Sequence, residues 1–231
     1  MPKQSSVLAE IAERRAADLT AELGQRTVRE VVREAGPGPA SRDVTGRFAR
    51  AGLHLIAEIK RSSPSAGSMV DGELDVAQRA RAYQAGGASM ISVLVEPHWF
   101  GGSLQDLQAA RAATSLPVLA KEFVVDERQL PLQRAAGADA VLLLATLHPA
   151  KRLARFVRTA IDVGLEPLVE AHSARELEAA LATDARLVGI NNRNLKTLEV
   201  DTALCERLRA QVPGDRLVIA ESGVHLSLIH I

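Results

Sequence analysis

Charged side chains that can exchange protons stand at the ends of several short apolar segments of this sequence. Glu58 and Lys60 follow LHLIA, Lys121 ends VLAK, Glu170 ends PLVE and Glu221 follows LVIA. Because Glu58 and Lys60 are two positions apart, both side chains would lie on one face of a strand. Ammonium and carboxylate groups gathered in one pocket can serve as general acids and bases. The pattern therefore favours acid–base catalysis.

Each of these residues, taken alone, also fits a purely structural interpretation. Glu58 and Lys60 could form an exposed ion pair, which contributes little to stability, and Lys121 or Glu170 could end a strand in solvent. The catalytic interpretation expects Lys121 to be desolvated near another cation, with a lowered pKa that suits a general acid, and Glu170 to be the complementary base. Two lysines and three carboxylates directed to one place favour the catalytic interpretation.

Polar loops that could bind a substrate follow the last two apolar segments. VGINNRNL places two amides, those of Asn191 and Asn192, and Arg193 at the mouth, where they can hydrogen-bond hydroxyl groups or a carboxylate without changing their own protonation. IAESGV contains Ser222 and Gly223, and backbone N–H groups at such a turn can bind phosphate. An ordinary strand-to-helix turn is the alternative for the second string.

Apolar segments of strand length alternate with helical segments along most of the chain. The predicted strands cover 53–59, 90–95, 117–120, 140–144, 167–169, 187–190 and 217–220. The predicted helices between them cover 76–84, 104–113, 127–136, 150–162, 174–181 and 203–211, and two more, 6–23 and 27–35, precede the first strand. Continuous apolar strands that alternate with helices are typical of a parallel sheet covered by helices.

This α/β pattern fits an open sheet or a closed barrel, and the polar strand ends separate the two. In a barrel the carboxyl ends of all strands meet at one mouth, whereas an open sheet spreads them along an edge. Charged residues from at least five strands, counting Glu96 after the second, favour a TIM-type (β/α)8 barrel with an N-terminal helical extension over residues 1–45. We predict a single domain over 1–231, with βα units in 46–224 and an atypical tail in 225–231.

Local patterns support two helix starts and restrict a third. Ser103-x-x-Asp106 and Ser173-x-x-Glu176 each predict a cap in which a hydroxyl and a carboxylate bind free backbone N–H groups. Pro131 is compatible with its predicted helix only in the first turn, because proline lacks an N–H donor.

Composition and charge exclude several kinds of partner and site. Lys plus Arg and Asp plus Glu each total 28, so no net charge attracts nucleic acid or an anionic membrane. The lone Cys205 predicts neither a disulfide framework nor a multi-cysteine metal site. An early run of charged residues and apolar stretches no longer than 140–147 predict neither a signal peptide nor a membrane span. We expect a cytoplasmic protein without nucleic-acid or membrane partners.

Seven strings of the sequence, taken in order, resemble those of indole-3-glycerol phosphate synthases. They are AEIKRSSPSAG, FGGSL, KEFVVD, GADAVLLL, LVEAHS, GINNRNL and AESGV, and they cover roughly residues 53–224. The resemblance implies a (β/α)8 barrel and a carbon–carbon lyase of tryptophan biosynthesis. Such an enzyme closes a ring, decarboxylates and dehydrates 1-(2-carboxyphenylamino)-1-deoxyribulose 5-phosphate. The resemblance therefore implies a phosphorylated small-molecule substrate, no metal and no organic cofactor.

The resemblance also implies roles for residues that match the family's motifs. Lys121 resembles the general acid of ring closure, Glu170 its partner in dehydration, and Lys60 the group that contacts the departing carboxylate. The residues that would orient these groups are Glu58, Asn191 and Glu221. The residues that match substrate-contacting positions are Ser63, Phe100, Phe123, Arg193, Ser222 and Gly223.

Three departures from the family pattern modify these expectations. KEF replaces KDF beside Lys121, and Val95 replaces a threonine. After AESGV the sequence reads HLSLIHI, with no counterpart of an eighth βα unit or of its phosphate-binding glycine and serine. We therefore expect a barrel truncated after strand seven, whose open edge strands could associate, whereas a complete barrel would be monomeric.

Two alternative functions stay open at this point. One is a catalytically impaired barrel fragment, which would not turn over the substrate. The other is an aldolase-type barrel enzyme that uses Lys60 or Lys121 as a Schiff-base nucleophile, which borohydride would trap with a carbonyl substrate.

Overall fold

Parallel strands form the sheet that positions the predicted site. In the computed structural model of the protein, residues 6–64, 67–68, 74–195 and 197–224 are described. The strands are β1 (Ile56–Ile59), β2 (Ser62–Ser63), β3 (Gly67–Ser68), β4 (Met90–Leu94), β5 (Val118–Lys121), β6 (Ala140–Leu144), β7 (Glu166–Ala171), β8 (Leu187–Asn191) and β9 (Leu217–Glu221). Seven of them pair in parallel in the order β1-β4-β5-β6-β7-β8-β9, while β2 and β3 form a short antiparallel hairpin.

Every predicted strand overlaps one strand of the parallel sheet, so the α/β class is confirmed. Within the described residues, β1 and β9 are the two edges of the sheet, and both are only partly buried. The sequence pattern does not predict the β2–β3 hairpin. The predicted tail 225–231, and Ser65 and Ala66 of the SSPSAG string, lie outside the described residues.

Helices lie before the sheet and between its strands. They are α1 (Val7–Leu23), α2 (Val28–Ala35), α3 (Thr45–Phe48), α4 (Val76–Ala85), α5 (Leu104–Ala113), α6 (Gln129–Ala135), α7 (Ala150–Asp162), α8 (Ala174–Leu181) and α9 (Ala203–Arg209). A 3₁₀ turn, Ala145–Leu147, follows β6. All predicted helices form, and the additional helix α3 spans the predicted boundary between residues 45 and 46.

Alternation along the strands separates two apolar layers. Ile91 and Val93 of β4 pack outward with the helices, whereas Met90 and Leu119 belong to a second cluster inside the barrel. Successive side chains of a strand point to opposite faces, so a residue two positions after an inner one is also inner. Lys121, two positions after Leu119, is therefore directed to the inner face.

The segment before β1 closes the amino ends of the strands. Val44 is 3% exposed and packs in the inner cluster. Asp139, just before β6, accepts a hydrogen bond from the Arg42 backbone N–H at 2.8 Å and pairs with the Arg111 guanidinium. The Arg42 guanidinium donates to the Leu116 carbonyl oxygen at 2.6 Å. These contacts tie the segment to the bottom of the barrel.

Helix α1 packs at the opposite end, beside the mouth. Its buried residues recur every four positions along one face: Ile11, Arg15, Leu19 and Leu23. The Arg15 guanidinium lies 3.4 Å from the carboxylate of Glu122, the residue that follows Lys121. Asp18 Oδ2 lies 2.7 Å from His98 Nε2 in the loop after β4. The first helix is thus attached to two loops of the mouth.

The hydroxyl half of both predicted serine caps is confirmed. Ser103 Oγ accepts a hydrogen bond from the Asp106 N–H at 3.1 Å, and Ser173 Oγ accepts one from the Glu176 N–H at 3.3 Å. The Glu176 carboxylate accepts the His172 backbone N–H at 2.8 Å, one residue before its serine cap. The Asp106 carboxylate instead pairs with a guanidinium of the loop after β1. The carboxylate half is therefore confirmed for Glu176 and wrong for Asp106, because an arginine side chain occupies the Asp106 carboxylate.

Two further helix features bear on the predictions. Pro131 is the third residue of α6 and so lies in its first turn, as predicted. Thr27 and Glu30 form a complete capping box at α2, which the sequence analysis does not single out. In the parts of the chain that the structure describes, no helix has the length and apolar character needed to cross a membrane.

Candidate active site

The pleat of the strands directs the predicted catalytic residues to the inside of the barrel. Lys121 follows Leu119 by two positions and Glu170 follows Leu168 by two, and both leucines belong to the inner cluster. The same spacing relates the other strand-end residues to inner positions: Glu58, Asn191 and Glu221. Side chains from β1, β5, β7, β8 and β9 consequently meet at one mouth.

Glu58 connects the two predicted lysines. Its Oε1 lies 2.7 Å from Lys60 Nζ and its Oε2 lies 3.0 Å from Lys121 Nζ. Lys121 Nζ also lies 3.6 Å from Glu221 Oε2. The side chains of Glu58, Lys60 and Lys121 keep 27–30% of their surface exposed, so a ligand entering the mouth can reach them.

The carboxylates around Lys121 correct one expectation. Burial lowers the pKa of Lys121, but the charges of Glu221, Glu58 and Glu170 outweigh burial and raise the pKa above its ordinary value. The predicted lowering is therefore wrong, because carboxylates rather than a second cation surround the ammonium. Burial raises the pKa of Glu58, yet Lys121 and Lys60 together hold it below its ordinary value. At neutral pH this part of the mouth therefore contains a charged Lys121 beside an ionised Glu58 carboxylate.

Glu170 is buried and held through one oxygen. Its Oε1 accepts a hydrogen bond from Asn191 Nδ2 at 2.9 Å and lies 2.9 Å from His172 Nε2. The His172 contact has the distance of an ion pair without the alignment of a hydrogen bond. Burial raises the pKa of Glu170, but His172 and the Lys121 charge outweigh it and lower the pKa to about 2. Glu170 is therefore ionised at neutral pH.

Glu221 is a second buried carboxyl group beside Glu170. Burial and the Glu170 charge raise the pKa of Glu221 well above its ordinary value, although Lys121 partly offsets them. Among the described residues, Glu170 Oε2 and Glu221 Oε1 have no hydrogen-bond partner. The two environments push the pKa values apart, and such pairs can divide base and acid roles.

Gly189 of β8 provides the space that Glu221 occupies. A methyl carbon added at Gly189 would collide with Glu221 Oε1 and approach the Glu170 Cα at 3.5 Å. Gly189 is two positions before Asn191, so it faces the same interior. The missing side chain lets the two carboxyl groups lie side by side.

The predicted aromatic residues lie together. The ring centroids of Phe100 and Phe123 are 5.9 Å apart. The loop that carries Phe100 is held by the buried Glu96, whose carboxylate accepts three backbone N–H groups, those of residues 98–100, at 2.7–3.0 Å. Glu96 therefore organises its own loop instead of joining the lysine network. Ser63 lies in β2 and is partly buried.

The remaining predicted residues belong to the loops after β8 and β9. The Arg193 guanidinium donates to the Leu198 carbonyl oxygen at 3.0 Å, within its own loop. Ser222 and Gly223 both adopt left-handed backbone, with φ of 61° and 68°. A methyl carbon at Gly223 would collide with Val200, so this turn requires glycine. The structure thus brings the catalytic set into contact, while these three residues line adjacent loops.

Comparisons with known proteins identify the family. Residues 8–227 match the family model described as "Indole-3-glycerol phosphate synthase". The chain is 45% identical over 196 residues to the indole-3-glycerol phosphate synthase of Rhodopirellula baltica, an alignment that covers 84% of this chain and 75% of that protein. It is 42% identical over 219 residues to that of Streptomyces griseus, with 95% and 81% covered. The chain belongs to the indole-3-glycerol phosphate synthase family.

Family membership makes the chain an enzyme of the lyase class, and the parallel sheet with its helices is the family's barrel architecture. A solved structure described as "Native KDPGal structure" aligns with a TM-score of 0.52 at 19% identity, covering 76% of this chain and 75% of that one. At this identity the likeness concerns the fold alone. Within the described residues, no group of three or more His, Cys, Asp or Glu side chains is arranged to hold a metal ion.

Two residues of the site escaped the sequence analysis. His172 contacts Glu170 from two positions further along the chain, and Gly189 precedes Asn191 by two. Both spacings place a residue on the same face as a predicted catalytic side chain. That two-residue spacing was available in LVEAHS and VGINN, and it is the signal that could have found them.

Proposed function

We propose that this protein is an indole-3-glycerol-phosphate synthase and carboxy-lyase of tryptophan biosynthesis. It converts 1-(2-carboxyphenylamino)-1-deoxyribulose 5-phosphate to indole-3-glycerol phosphate by ring closure, decarboxylation and dehydration. The observation that carries the proposal is the contact network of Glu58, Lys60 and Lys121 beside the paired carboxyl groups of Glu170 and Glu221. The reaction needs acids and bases in one partly desolvated pocket, which this network supplies.

Lys121 acts as the general acid of ring closure. Its raised pKa keeps it an ammonium at neutral pH, so it can donate a proton to the substrate carbonyl oxygen. Lys60, 2.7 Å from Glu58, contacts the carboxylate that leaves as carbon dioxide and assists proton transfer. Glu58 holds both ammonium groups and orients them.

Glu170 serves in the later dehydration as the partner of Lys121. A pKa of about 2 leaves it ionised and ready to accept a proton. Asn191 orients its carboxylate through the 2.9 Å hydrogen bond, and Glu221 orients the substrate hydroxyls from the adjacent strand. No metal or organic cofactor enters these steps.

The substrate is held by residues around this network. The Phe100–Phe123 pair suits the aromatic ring of the substrate. Ser222 and Gly223 form a tight turn whose backbone suits a phosphate group. The other proposed contacts are those of Ser63 and Arg193.

The same proposal includes the organisation of the protein. We propose that residues 1–231 belong to one barrel domain, with an N-terminal extension over 1–45 and a distinct tail over 225–231. A complete barrel of this kind acts as a monomer and has no nucleic-acid partner, which agrees with the balanced charge of the chain. The lone Cys205 agrees with a reducing compartment such as the cytoplasm.

The aldolase-type alternative finds less support. A Schiff base requires a neutral amine, whereas the surrounding carboxylates raise the pKa of Lys121. Lys60 is engaged in an ion pair, with its Nζ 2.7 Å from the Glu58 carboxylate. Borohydride trapping with a carbonyl substrate would revive this alternative.

Product fluorescence tests the proposed function directly. We expect the purified protein to form indole-3-glycerol phosphate from the anilino-deoxyribulose phosphate, and Lys121→Ala to stop it. A second chain, extended by a family-like eighth βα unit, is assayed in parallel. Activity only in the extended chain would show that phosphate binding needs that unit. A lack of product from both folded chains would overturn the proposal.

A further inference from the structure

His172 lies directly behind Glu170 and is held between two carboxylates. Its side chain is 8% exposed. Nε2 lies 2.9 Å from Glu170 Oε1, and Nδ1 lies 3.3 Å from Glu176 Oε2 in the first turn of α8. The same Glu176 oxygen accepts the His172 backbone N–H at 2.8 Å. Ring and backbone of this histidine are thus fixed by one helix residue, and the ring is directed at Glu170.

We propose that His172, fixed by Glu176, is a positioning residue that orients the Glu170 carboxylate and keeps the negative charge on Glu170 rather than on Glu221. This inference rests on the proposed function, in which Glu170 accepts a proton. His172 touches neither the substrate nor Glu221 in this proposal. It acts through Glu170 alone.

The distribution of partners on Glu170 supports this role. Oε1 accepts a hydrogen bond from the Asn191 amide and lies within ion-pair distance of the His172 ring, whereas Oε2 has no hydrogen-bond partner among the described residues. A buried oxygen without a partner destabilises the folded state, so its presence points to a functional requirement. With Oε1 held from two sides, Oε2 is the atom left to exchange a proton with Glu221 or the substrate.

The charges that face the pair come from several elements. Lys121 of β5 faces both carboxyl groups, Glu58 of β1 faces Lys121, and Glu221 of β9 lies beside Glu170. His172 contacts Glu170 and Glu176, which raise its pKa to about 9 against the lowering by burial. The His172 imidazolium is therefore a positive charge that acts on Glu170 and not on Glu221, whereas the Lys121 ammonium acts on both.

A mainly structural explanation makes a different prediction. Glu176 could simply stabilise the turn between β7 and α8 by accepting the His172 N–H. A glutamine at position 176 can still accept that N–H, so the turn would persist. The charge on His172, in contrast, depends on the Glu176 carboxylate. Glu176→Gln therefore distinguishes an effect on the turn from an effect on the charge of His172.

The test uses His172→Gln and Glu176→Gln, with Glu178→Gln as matched control on the exposed side of the same helix. For His172→Gln we expect kcat to fall about 10- to 100-fold at pH 7, as for other residues that orient a functional side chain, with KM within about threefold. The acid limb of the rate profile moves to higher pH, because Glu170 without its cation needs a higher pH to ionise. An unchanged kcat and acid limb would overturn the proposal.

Glu176→Gln keeps the proposal testable if His172→Gln does not fold. We expect near wild-type activity at pH 6, where His172 stays protonated, and an alkaline limb that begins at lower pH than in wild type. An alkaline limb at the wild-type pH, with or without a uniform loss of activity, would support the turn explanation and overturn ours. Glu178→Gln should leave both limbs unmoved.

A titration without substrate separates failure of this inference from failure of the proposed function. The ring of His172 is followed by NMR in the wild-type protein and in Glu170→Gln. We expect titration near pH 9 in wild type and at least one unit lower in the variant, which is a tenfold or greater change in proton affinity. Titration near 6.5 in both would overturn the inference even if the enzyme turns over its substrate.

Discussion

Buried carboxyl groups occur at both ends of the barrel, but their oxygens are hydrogen-bonded to different extents. At the amino ends of the strands, Asp139 is fully surrounded: Oδ1 accepts the Arg42 N–H at 2.8 Å, and Oδ2 accepts the Val118 N–H at 2.9 Å and the Arg111 guanidinium. At the mouth, Glu170 and Glu221 each retain a buried oxygen without a partner among the described residues.

This difference distinguishes charged residues that stabilise the fold from charged residues that serve the reaction. A buried carboxylate whose acceptors are all filled ties chain segments together and has no capacity left for a ligand. A cluster of carboxyl groups that has oxygens without a partner, and pKa values shifted in opposite directions, can still bind a ligand or exchange a proton. It does so at some cost in stability. Residues of one end should therefore affect mainly stability, and residues of the other mainly turnover.

The largest expected effect concerns the mouth. Lys121→Ala or Glu170→Gln should lower kcat by about 10²–10⁴-fold, the usual contribution of a general acid or base. Because neither residue belongs to the apolar layers, the far-UV spectrum and unfolding midpoint should stay close to wild type. Wild-type rates in either variant would defeat the assigned roles.

The next effect concerns the amino end. Asp139→Ala should lower the free energy of unfolding by about 3–5 kcal/mol, because it leaves the largely buried Arg111 guanidinium without an opposite charge. The folded fraction should keep its kcat. Urea unfolding measures the loss, with Asp184→Ala as control, since the Asp184–Arg158 pair is about 70% exposed and 3.6 Å long. Equal losses in both variants would remove the distinction between the two ends.

Gly189→Ala should affect both turnover and stability. The added methyl group displaces the Glu221 carboxylate, so we expect kcat to fall about 10- to 100-fold and stability to fall by about 1–3 kcal/mol. Gly214→Ala is the control, because nothing lies within 4 Å of its added carbon. Full activity of Gly189→Ala would show that the position of Glu221 does not matter.

The smallest effect concerns Glu122, a buried mouth residue that directly follows β5. Burial raises the pKa of Glu122 to about 7, because Arg15, at 3.4 Å, offsets it only partly. A raised carboxyl pKa means that stability is fully present below about pH 4.5 and is lost as the pH rises through about 7. Glu122→Gln stays neutral and should lack this loss. Urea unfolding at pH 5 and pH 8 should show the variant gaining about 1–3 kcal/mol on wild type, and a constant difference would contradict the shift.

Local pattern accounts for most of the fold. The strands and helices were predictable because each is a continuous apolar or 3.6-periodic segment, and α5, α7 and α8 match their predicted bounds. Helix α3 escaped prediction, since four residues are too few to show a period.

The positions of site residues along each strand were predictable from the sequence, but the contacts between residues of different strands were not. Strand-end position identified Glu58, Lys121 and Glu170, but the direction of the Lys121 pKa shift depends on which charges neighbouring strands bring close. The Arg15–Glu122 contact joins residues 107 positions apart, and no local pattern marks such a pair.

That long separation also sets an order of events during synthesis. Helix α1 is synthesised before the sheet, and Glu122 is added 107 residues after its partner Arg15 on the buried face of this helix. At about 5–20 residues per second, Arg15 is made about 5–20 s before Glu122 exists. The nascent chain must stay soluble through that interval with this face uncovered, so the helix docks late although it is made early.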